Sequence, residues 1–388
     1  MKRQLTSAEL SSLRLTLFDG GSALSDSPLG RSQRGGGFSF DPFGAYDAGL
    51  VTNPNVLVTG AIGVGKSTFV KMLLSRGLAR GRRAVVLDPK GEYGDLARSV
   101  GGTVIELGTP DGQWCSPFTG DHRDDVVLVE SLIAAARSRS LGDDERFILD
   151  TTWRTLNAST SARPLEQLFN SFAPHLAEQL NSAEKELALT LRRFVLGDLV
   201  GLFDGTETPH TAHGSLVVLD LSASWTTDTF ALTALAAMAI ARRVLSGLEP
   251  GYLVIDEAWA VLVEPRVAHW LHGSWKLARA RATSHVLVLH RWSDAFATAD
   301  LGSAQRTKTT GILRDCDSVM LFRQDPGELQ LLNDVLRLHE LEAHYVTALA
   351  RGVMLARYGP HRSVVHLEPN SRDRAIIDTD RAMRLSTS

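Results

Sequence analysis

A glycine-rich segment with a lysine near its end carries the clearest chemistry in the sequence. Residues 55–68 read Asn-Val-Leu-Val-Thr-Gly-Ala-Ile-Gly-Val-Gly-Lys-Ser-Thr, which contains the phosphate-loop pattern G-x-x-x-x-G-K-[ST]. Glycines let successive backbone N–H groups converge on a triphosphate, and the following helix presents its positive end. We expect Lys66 to neutralise the β- and γ-phosphates and the Ser67 hydroxyl to bind Mg²⁺. The predicted nucleotide-binding residues are Gly60, Ala61, Ile62, Gly63, Val64, Gly65, Lys66, Ser67 and Thr68.

Two acidic residues follow an apolar run later in the chain. Residues 252–255 are predicted to form a buried strand, and Asp256 and Glu257 come directly after it. In phosphate-loop ATPases the first acid of such a pair holds Mg²⁺, and the second can accept a proton from the water that attacks the γ-phosphate. We therefore predict Asp256 as a metal residue and Glu257 as the catalytic base. Asp220 is the competing candidate for Mg²⁺, although no second acid follows it.

Three more polar residues could act on the γ-phosphate. His290 follows a predicted strand and could contact the phosphate or its water, although a lone strand-end histidine is often structural. Arg279 and Arg281 lie at the C-terminal end of a predicted helix, where cations suit the helix dipole. The sharper hypothesis makes one of them an arginine finger that reaches the nucleotide of a neighbouring subunit. Arg314 and Arg323 are rivals for that role.

Strands and helices alternate along most of the chain, and they must position these residues. Apolar strands separated by amphipathic helices imply a mostly parallel sheet covered on both faces. In such sheets ligands bind beyond the carboxyl ends of the strands. The phosphate loop, the acid pair, Asp220 and His290 all follow predicted strands, so we expect one sheet edge to gather them. Asp88 and Glu92 could line the same cleft, although turn chemistry explains Asp-Pro-Lys-Gly equally well.

Five segments are predicted from the change in pattern along the chain. Residues 1–37 are rich in Ser, Gly and Arg, which predicts a weakly ordered lead-in. Residues 38–120 and 205–368 are predicted to form the two parts of an α/β core. Between them, residues 121–204 show long helical periods with almost no β-branched runs, which predicts an all-helical insertion. Residues 369–388 are left as a C-terminal tail.

Composition excludes several classes of protein. The chain has 388 residues, 44% hydrophobic and 22% charged, as is typical of a soluble protein with a sizeable core. The net charge of -3 argues against a surface that binds a polyanion as a whole. A local basic channel for DNA stays an alternative. Cys115 and Cys316 lack metal-ligand spacing, so we predict no zinc site. With no signal peptide, and a longest apolar stretch (residues 230–240) too short to cross a bilayer, we expect a cytoplasmic protein or one held at the inner face of the membrane.

Taken together, the motifs resemble the large ATPase of bacterial conjugation and type IV secretion, the VirB-four/TraC-like family within the HerA–FtsK group. The resemblance covers about residues 38–367. It rests on the phosphate loop, Val-Leu-Asp-Pro-Lys-Gly-Glu-Tyr at 86–93, Trp-Cys-Ser-Pro-Phe at 114–118, Val-Ile-Asp-Glu-Ala-Trp at 254–259 and Ser-Asp at 293–294. It implies a RecA-like ATPase core with a helical insertion, Mg-ATP hydrolysis, a homo-oligomer expected to be a hexamer, and docking to components of a membrane secretion channel. It also implies that Arg279 and Arg281 act across subunits.

Two features depart from the family pattern. Leu289-His290 stands where most relatives have Thr-Gln after the fourth core strand. Only about fifty residues precede the loop, whereas relatives carry a large N-terminal domain there, so we expect a core without that domain. Three functions stay open: a motor for assembly or transport, a HerA/FtsK-like or coupling-protein-like DNA translocase, and a nucleotide-dependent assembly module with little turnover.

Overall fold

A computed structural model describes residues 28–108, 116–158, 161, 163–175, 181–203, 215–247, 249–276, 278–297 and 303–377. The strands of this part of the chain are β1 (Gly30–Ser32), β2 (Gly37–Phe38), β3 (Val56–Thr59), β4 (Arg83–Asp88), β5 (Thr103–Glu106), β6 (Leu216–Asp220), β7 (Gly251–Ile255), β8 (Thr283–Leu289), β9 (Ser318–Leu321), β10 (Val353–Tyr358) and β11 (His361–Leu367). The helices are α1 (Pro42–Asp47), α2 (Lys66–Leu78), α3 (Gly94–Ser99), α4 (His122–Arg137), α5 (Asp143–Thr155), α6 (Pro164–Phe172), α7 (Ser182–Leu196), α8 (Phe230–Val244), α9 (Ala258–Val263), α10 (Pro265–Lys276), α11 (Trp292–Ala295), α12 (Ala304–Arg314), α13 (Leu329–Leu336), α14 (Glu340–Ala348) and α15 (Ser371–Ile377).

The strands form one sheet in the order β2-β1-β11-β10-β9-β3-β8-β7-β4-β6-β5. From β9 to β5 all neighbours pair in parallel, and the other four strands are added antiparallel beside β9. Side chains alternate between two cores: Leu57 packs in one, and Val56 and Val58 pack in the other. Apolar residues on both faces are what a parallel sheet covered by helices requires. The predicted α/β fold with a mostly parallel sheet is confirmed.

Helices α4 to α7 lie between β5 and β6, within the stretch predicted to be an all-helical insertion. Leu132, Trp153 and Leu168 belong to the same buried cluster as strand residues on one face of the sheet. This part of the chain therefore shares the core of the sheet. The apolar stretch at 230–240 lies in α8 and is largely buried. Within the described residues, no helix combines the length and hydropathy that a bilayer crossing needs.

The predicted lead-in is wrong for residues 28–37. Strand β1 pairs antiparallel with β11, and Leu29 is fully buried. A Cβ on Gly30 would lie 2.0 Å from the carbonyl oxygen of His366, so this close pairing needs glycine. The segment is ordered by a strand more than 300 residues away, and local composition cannot reveal such a partner. Residues 1–27 lie outside the described residues.

The predicted tail begins with α15, which is tied to the helix that follows the phosphate loop. Arg76 on α2 forms a two-pronged ion pair with Asp373, and Arg76 Nη2 lies 2.6 Å from Asp373 Oδ2. The Asp373 side chain is fully buried and also accepts the backbone N–H of Asn370 at 2.9 Å. Removing either partner would leave a buried charge uncompensated. Residues 378–388 lie outside the described residues, and the division of the chain into domains stays a prediction.

Candidate nucleotide-binding site

The phosphate loop joins β3 to α2 and needs glycine at three positions. Gly63 (φ 73°) and Gly65 (φ 112°) adopt left-handed backbone conformations that side chains disfavour. At Gly60 a Cβ would lie 2.6 Å from the Cβ of Phe322. Helix α2 starts at Lys66, with Gly65 as its N-cap. The loop therefore has the glycine-dependent bend that brings backbone N–H groups and a helix N-terminus together.

Neighbouring strands hold the loop in this shape. The N–H of Ala61 donates to the carbonyl of Arg323 at 2.8 Å, and the N–H of Gly352 donates to the carbonyl of Val64 at 2.8 Å. Residues 323 and 352 follow β9 and precede β10, so the supports come from far along the chain. Sequence analysis did not find these supports, because backbone contacts between distant segments leave no residue-type signal.

The ammonium of Lys66 lies inside the loop. Its Nζ donates to the carbonyl oxygens of Gly60 at 2.6 Å and Ala61 at 2.7 Å. Burial lowers the pKa of Lys66 to about 8, and the negative charges of Asp256 and Glu257 oppose that shift. Lys66 thus shares an electrostatic field with the predicted acid pair. Ser67 and Thr68 lie half-buried on the first turn of α2, and the Ile62 side chain is exposed.

The acid pair follows β7, which is separated from β3 by β8 alone. Asp256 is buried, and burial raises its pKa, while the N–H of Glu257 donates to Asp256 Oδ1 at 2.9 Å. Glu257 has φ 47°, a strained conformation for a non-glycine residue. The rival Asp220 ends β6, two strands farther from β3, and accepts the N–H of Ser222 at 2.8 Å. The geometry therefore favours Asp256 over Asp220 beside the loop.

Three side chains contact the carboxylate of Glu257. His290 Nε2 lies 2.9 Å from Oε1, and the indole N–H of Trp259 donates to Oε2 at 2.6 Å. Lys90 forms an ion pair with Oε1. Burial favours a raised pKa for Glu257, but bonds from His290 and Lys90 prevail and lower it to about 2. The carboxylate is consequently charged and oriented, and Lys90 and Trp259 join the site although sequence analysis gave them no role.

Asp88 stabilises the turn that contains Lys90. Its carboxylate accepts the backbone N–H of Glu92 at 3.1 Å and of Tyr93 at 2.8 Å. Burial raises the pKa of Asp88 to about 6, against the effect of these two hydrogen bonds. Of the two explanations left open for Asp88, the geometry supports turn chemistry: the side chain closes the loop after β4.

Arg279 and Arg281 lie at the opposite edge of the sheet. Helix α10 ends at Lys276, so the prediction that both arginines end a helix is corrected; they occupy the turns that precede β8. His290 follows the C-terminal end of β8, and the seven residues of this strand span about 20 Å. Neither arginine therefore lies beside the phosphate loop of its own chain. Arg279 is exposed, and Arg281 is half-buried near Arg242.

The two rival arginines have other surroundings. Arg314 donates to the carbonyl of Asp334 at 2.7 Å, which ties α12 to α13. Arg323 lies beside the phosphate loop of the same chain, where its carbonyl receives the N–H of Ala61. Its position is thus at the nucleotide edge and not at the edge that Arg279 and Arg281 occupy.

The residues at this edge fit a nucleotide with Mg²⁺. The Ser67 hydroxyl and the Asp256 carboxylate are hard oxygen donors of the kind that Mg²⁺ prefers. In the described part of the chain, no cluster of three or more His, Cys, Asp or Glu side chains could hold a metal by itself. A magnesium ion would then take its other ligands from phosphate and water, as is usual for this ion.

The chain is similar to known proteins in part of its sequence and in its fold. The family model of the central domain of the helicase HerA matches residues 51–237. The structure of VirB4 from Thermoanaerobacter pseudethanolicus is similar with a TM-score of 0.76 and 21% identity, covering 92% of this chain and 100% of that chain. The plasmid coupling protein TrwB in complex with ADP and Mg²⁺ has a TM-score of 0.57 and 18% identity, covering 82% of this chain and 86% of that chain. No curated protein sequence matches the chain.

The fold is therefore the one seen in VirB4 and TrwB, and the predicted core with a mostly parallel sheet is confirmed. Residues 51–237 are similar to the central domain of HerA, and the architecture as a whole is shared with VirB4. The match of residues 51–237 to the HerA model and the shared fold with VirB4 agree with the resemblance that the motifs indicated.

Proposed function

We propose that this chain binds and hydrolyses Mg-ATP to power the assembly of, or transport through, a bacterial conjugation or type IV secretion apparatus. One observation carries the proposal: Lys66 and the Asp256–Glu257 pair act on one another electrostatically at a single sheet edge. A site that only bound nucleotide would not require a second acid held by three donors. The oriented Glu257 supports hydrolysis.

Each polar residue of this edge has a role in the proposed reaction. Lys66 would neutralise the β- and γ-phosphates, and Ser67 and Asp256 would hold Mg²⁺. When bound, the ion supplies charge neutralisation for the phosphates. Glu257 would accept the proton of the attacking water. The hydrogen bond of His290 to Glu257 supports a positioning role for this histidine.

The placement of Arg279 and Arg281 supports action in a homo-oligomer, which we propose to be a hexamer. An arginine about 20 Å from its own site can complete only the site of another subunit. In a ring, the edge that carries these arginines would face the nucleotide edge of the neighbour. The proposed partners are further copies of the chain and components of a secretion channel at the inner face of the membrane.

The test is the Mg-ATPase rate measured over a range of protein concentrations, together with calorimetric titration of Mg-ATP. We expect binding, and a specific rate that rises with protein concentration because the site is shared between subunits. No heat of binding with Mg-ATP would overturn the nucleotide role. A specific rate that is independent of concentration down to the monomeric protein would overturn the shared site.

A DNA translocase is the second candidate, favoured by the match of residues 51–237 to a helicase domain. A DNA translocase would hydrolyse ATP faster when DNA is added. The motor of a protein channel would hydrolyse ATP at the same rate with and without DNA. An assembly module with little turnover is the third candidate. It would bind Mg-ATP and oligomerise, but its ATPase rate would be no higher than that of a Glu257→Gln variant.

A further inference from the structure

The three donors on Glu257 differ in how freely they can move. Trp259 lies two residues from Glu257, in the first turn of α9, and His290 directly follows β8. Lys90 reaches the carboxylate from the turn after β4 through a long flexible side chain. Its side chain is 38% exposed, whereas that of Glu257 is 4% exposed. Lys90 is therefore the donor that can leave while the other two stay.

Lys90 also shares the surroundings of the phosphate-loop lysine. The charge of Lys90 lowers the pKa of Lys66, and both ammonium groups are attracted by Asp256, Glu257 and Glu92. Burial alone would lower the pKa of Lys90, but its bond to Glu257 raises it, so the group remains a cation. A polyphosphate bound at Lys66 would lie within the attraction of Lys90 as well.

We propose that Lys90 is a positioning residue whose ammonium exchanges between Glu257 and the terminal phosphate of a bound triphosphate. Glu257 then loses its ion pair only where a γ-phosphate draws Lys90 away. This inference rests on the proposed function of the site. Lys90 would thus discriminate a triphosphate from a diphosphate, and the ion pair of Glu257 would depend on which nucleotide is bound.

The geometry explains why the exchange matters. A carboxylate offers about four acceptor positions, and three donors occupy most of them here. Departure of Lys90 opens Oε1 to a water while His290 and Trp259 keep the carboxylate in place. A diphosphate has no γ-phosphate to compete for the ammonium, so the ion pair persists and water stays excluded from Oε1.

The experiment compares wild type with Lys90→Met and Lys90→Arg, and with Lys185→Met as the control at an exposed lysine on α7. Calorimetry gives the affinities for ADP and for a non-hydrolysable ATP analogue, both with Mg²⁺. We expect Lys90→Met to reduce the preference for the triphosphate about tenfold, because the ammonium gains more from a γ-phosphate with up to about two negative charges than it gives up at the singly charged Glu257. Lys90→Arg keeps a cation that can bond a carboxylate or a phosphate, and Lys185→Met changes an exposed lysine, so both should stay within about threefold of wild type.

Trp259 gives a second readout, because its indole bonds the same carboxylate. Tryptophan fluorescence is measured for each protein with and without the additional substitution Trp259→Phe. The difference between the two spectra is the emission of Trp259. We expect the ATP analogue, but not ADP, to change that emission in wild type and in Lys90→Arg, and neither nucleotide to change it in Lys90→Met.

The outcomes separate the two proposals. If wild type binds no nucleotide, the proposed function fails. If wild type binds both nucleotides and Lys90→Met keeps the full preference and the emission change, the nucleotide role stands and the exchange of Lys90 is overturned. Circular dichroism of each variant establishes that it is folded, and Lys90→Arg carries the test should Lys90→Met unfold: loss of the emission change in that folded variant would also overturn the exchange.

Discussion

The two edges of the parallel strands hold their charged residues in different ways. At the carboxyl edge, Lys66 bonds loop carbonyls and Glu257 is held by Lys90, His290 and Trp259. These groups are oriented by their own chain. Such pre-organisation suits a site that must act on a phosphate without rearranging many charges.

The opposite edge carries arginines around a cavity. Arg242 is paired with Asp124, and Arg281 lies beside Arg242 and lines the same cavity of about 450 Å³. Burial lowers the pKa of Arg281, and the charge of Arg242 lowers it further, whereas the charge of Asp124 opposes the shift. An anion from outside the chain would relieve this repulsion. This contrast supports the proposal that one edge holds the nucleotide and the other completes the site of a neighbour.

The largest effect is expected from Lys66→Ala at the carboxyl edge. Loss of charge-assisted contacts worth about 1.5–3 kcal/mol each should weaken Mg-ATP binding about 10²-fold to 10⁴-fold, beyond calorimetric detection. Lys185→Ala is the matched control at an exposed lysine. Binding by Lys66→Ala at wild-type affinity would mean that the loop is not the phosphate site.

Glu257→Gln should separate binding from turnover at the same edge. The amide can keep hydrogen bonds but cannot accept the water proton, so turnover should fall about 10³-fold. The affinity for Mg-ATP should change little, leaving a nucleotide-bound and stalled protein. Glu186→Gln, at an exposed glutamate on α7, is the control. Turnover retained by Glu257→Gln would show that another residue is the base.

Features that lie in consecutive residues could be predicted from the sequence. The phosphate loop and the acid pair are each written in one short stretch, and parallel strands bring their ends to one edge. Reasoning failed where distant backbone sets the structure: β1 is ordered by β11, and the loop is held by residues 323 and 352. The partners of Glu257 fall between these cases. Lys90 and Trp259 lie in two motifs that carry the family resemblance, at residues 86–93 and 254–259. Only the fold brings their side chains to one carboxylate.

Arg281→Ala tests the opposite edge, with Arg279→Ala made in parallel. Removing one pre-organised donor to a developing charge should lower turnover about 10²-fold without loss of nucleotide binding. Mixing Arg281→Ala with Glu257→Gln should restore activity, because the second subunit supplies the arginine to an intact site. Arg372→Ala is the control at an exposed arginine. Failure of the mixture to recover activity would count against action between subunits.

The smallest effect concerns the buried charge that shapes the turn of Lys90. Burial raises the pKa of Asp88 to about 6 from an ordinary value of 3.8. Between these values the folded protein binds a proton that the unfolded chain does not, so the contribution of Asp88 to stability falls as pH rises through this window and is flat above it. From pH 5 to pH 7 the loss is about 1 kcal/mol.

Asp88→Asn removes this titration, so its stability relative to wild type should rise by about 1 kcal/mol between pH 5 and pH 7. Urea unfolding at the two pH values measures the difference, and Asp143→Asn is the control at a fully exposed carboxylate on α5. An unchanged difference between wild type and Asp88→Asn would mean that Asp88 titrates near its ordinary pKa. Asp88 would then already be fully charged at pH 5, and burial at the carboxyl edge would act on this carboxylate less than its surroundings indicate.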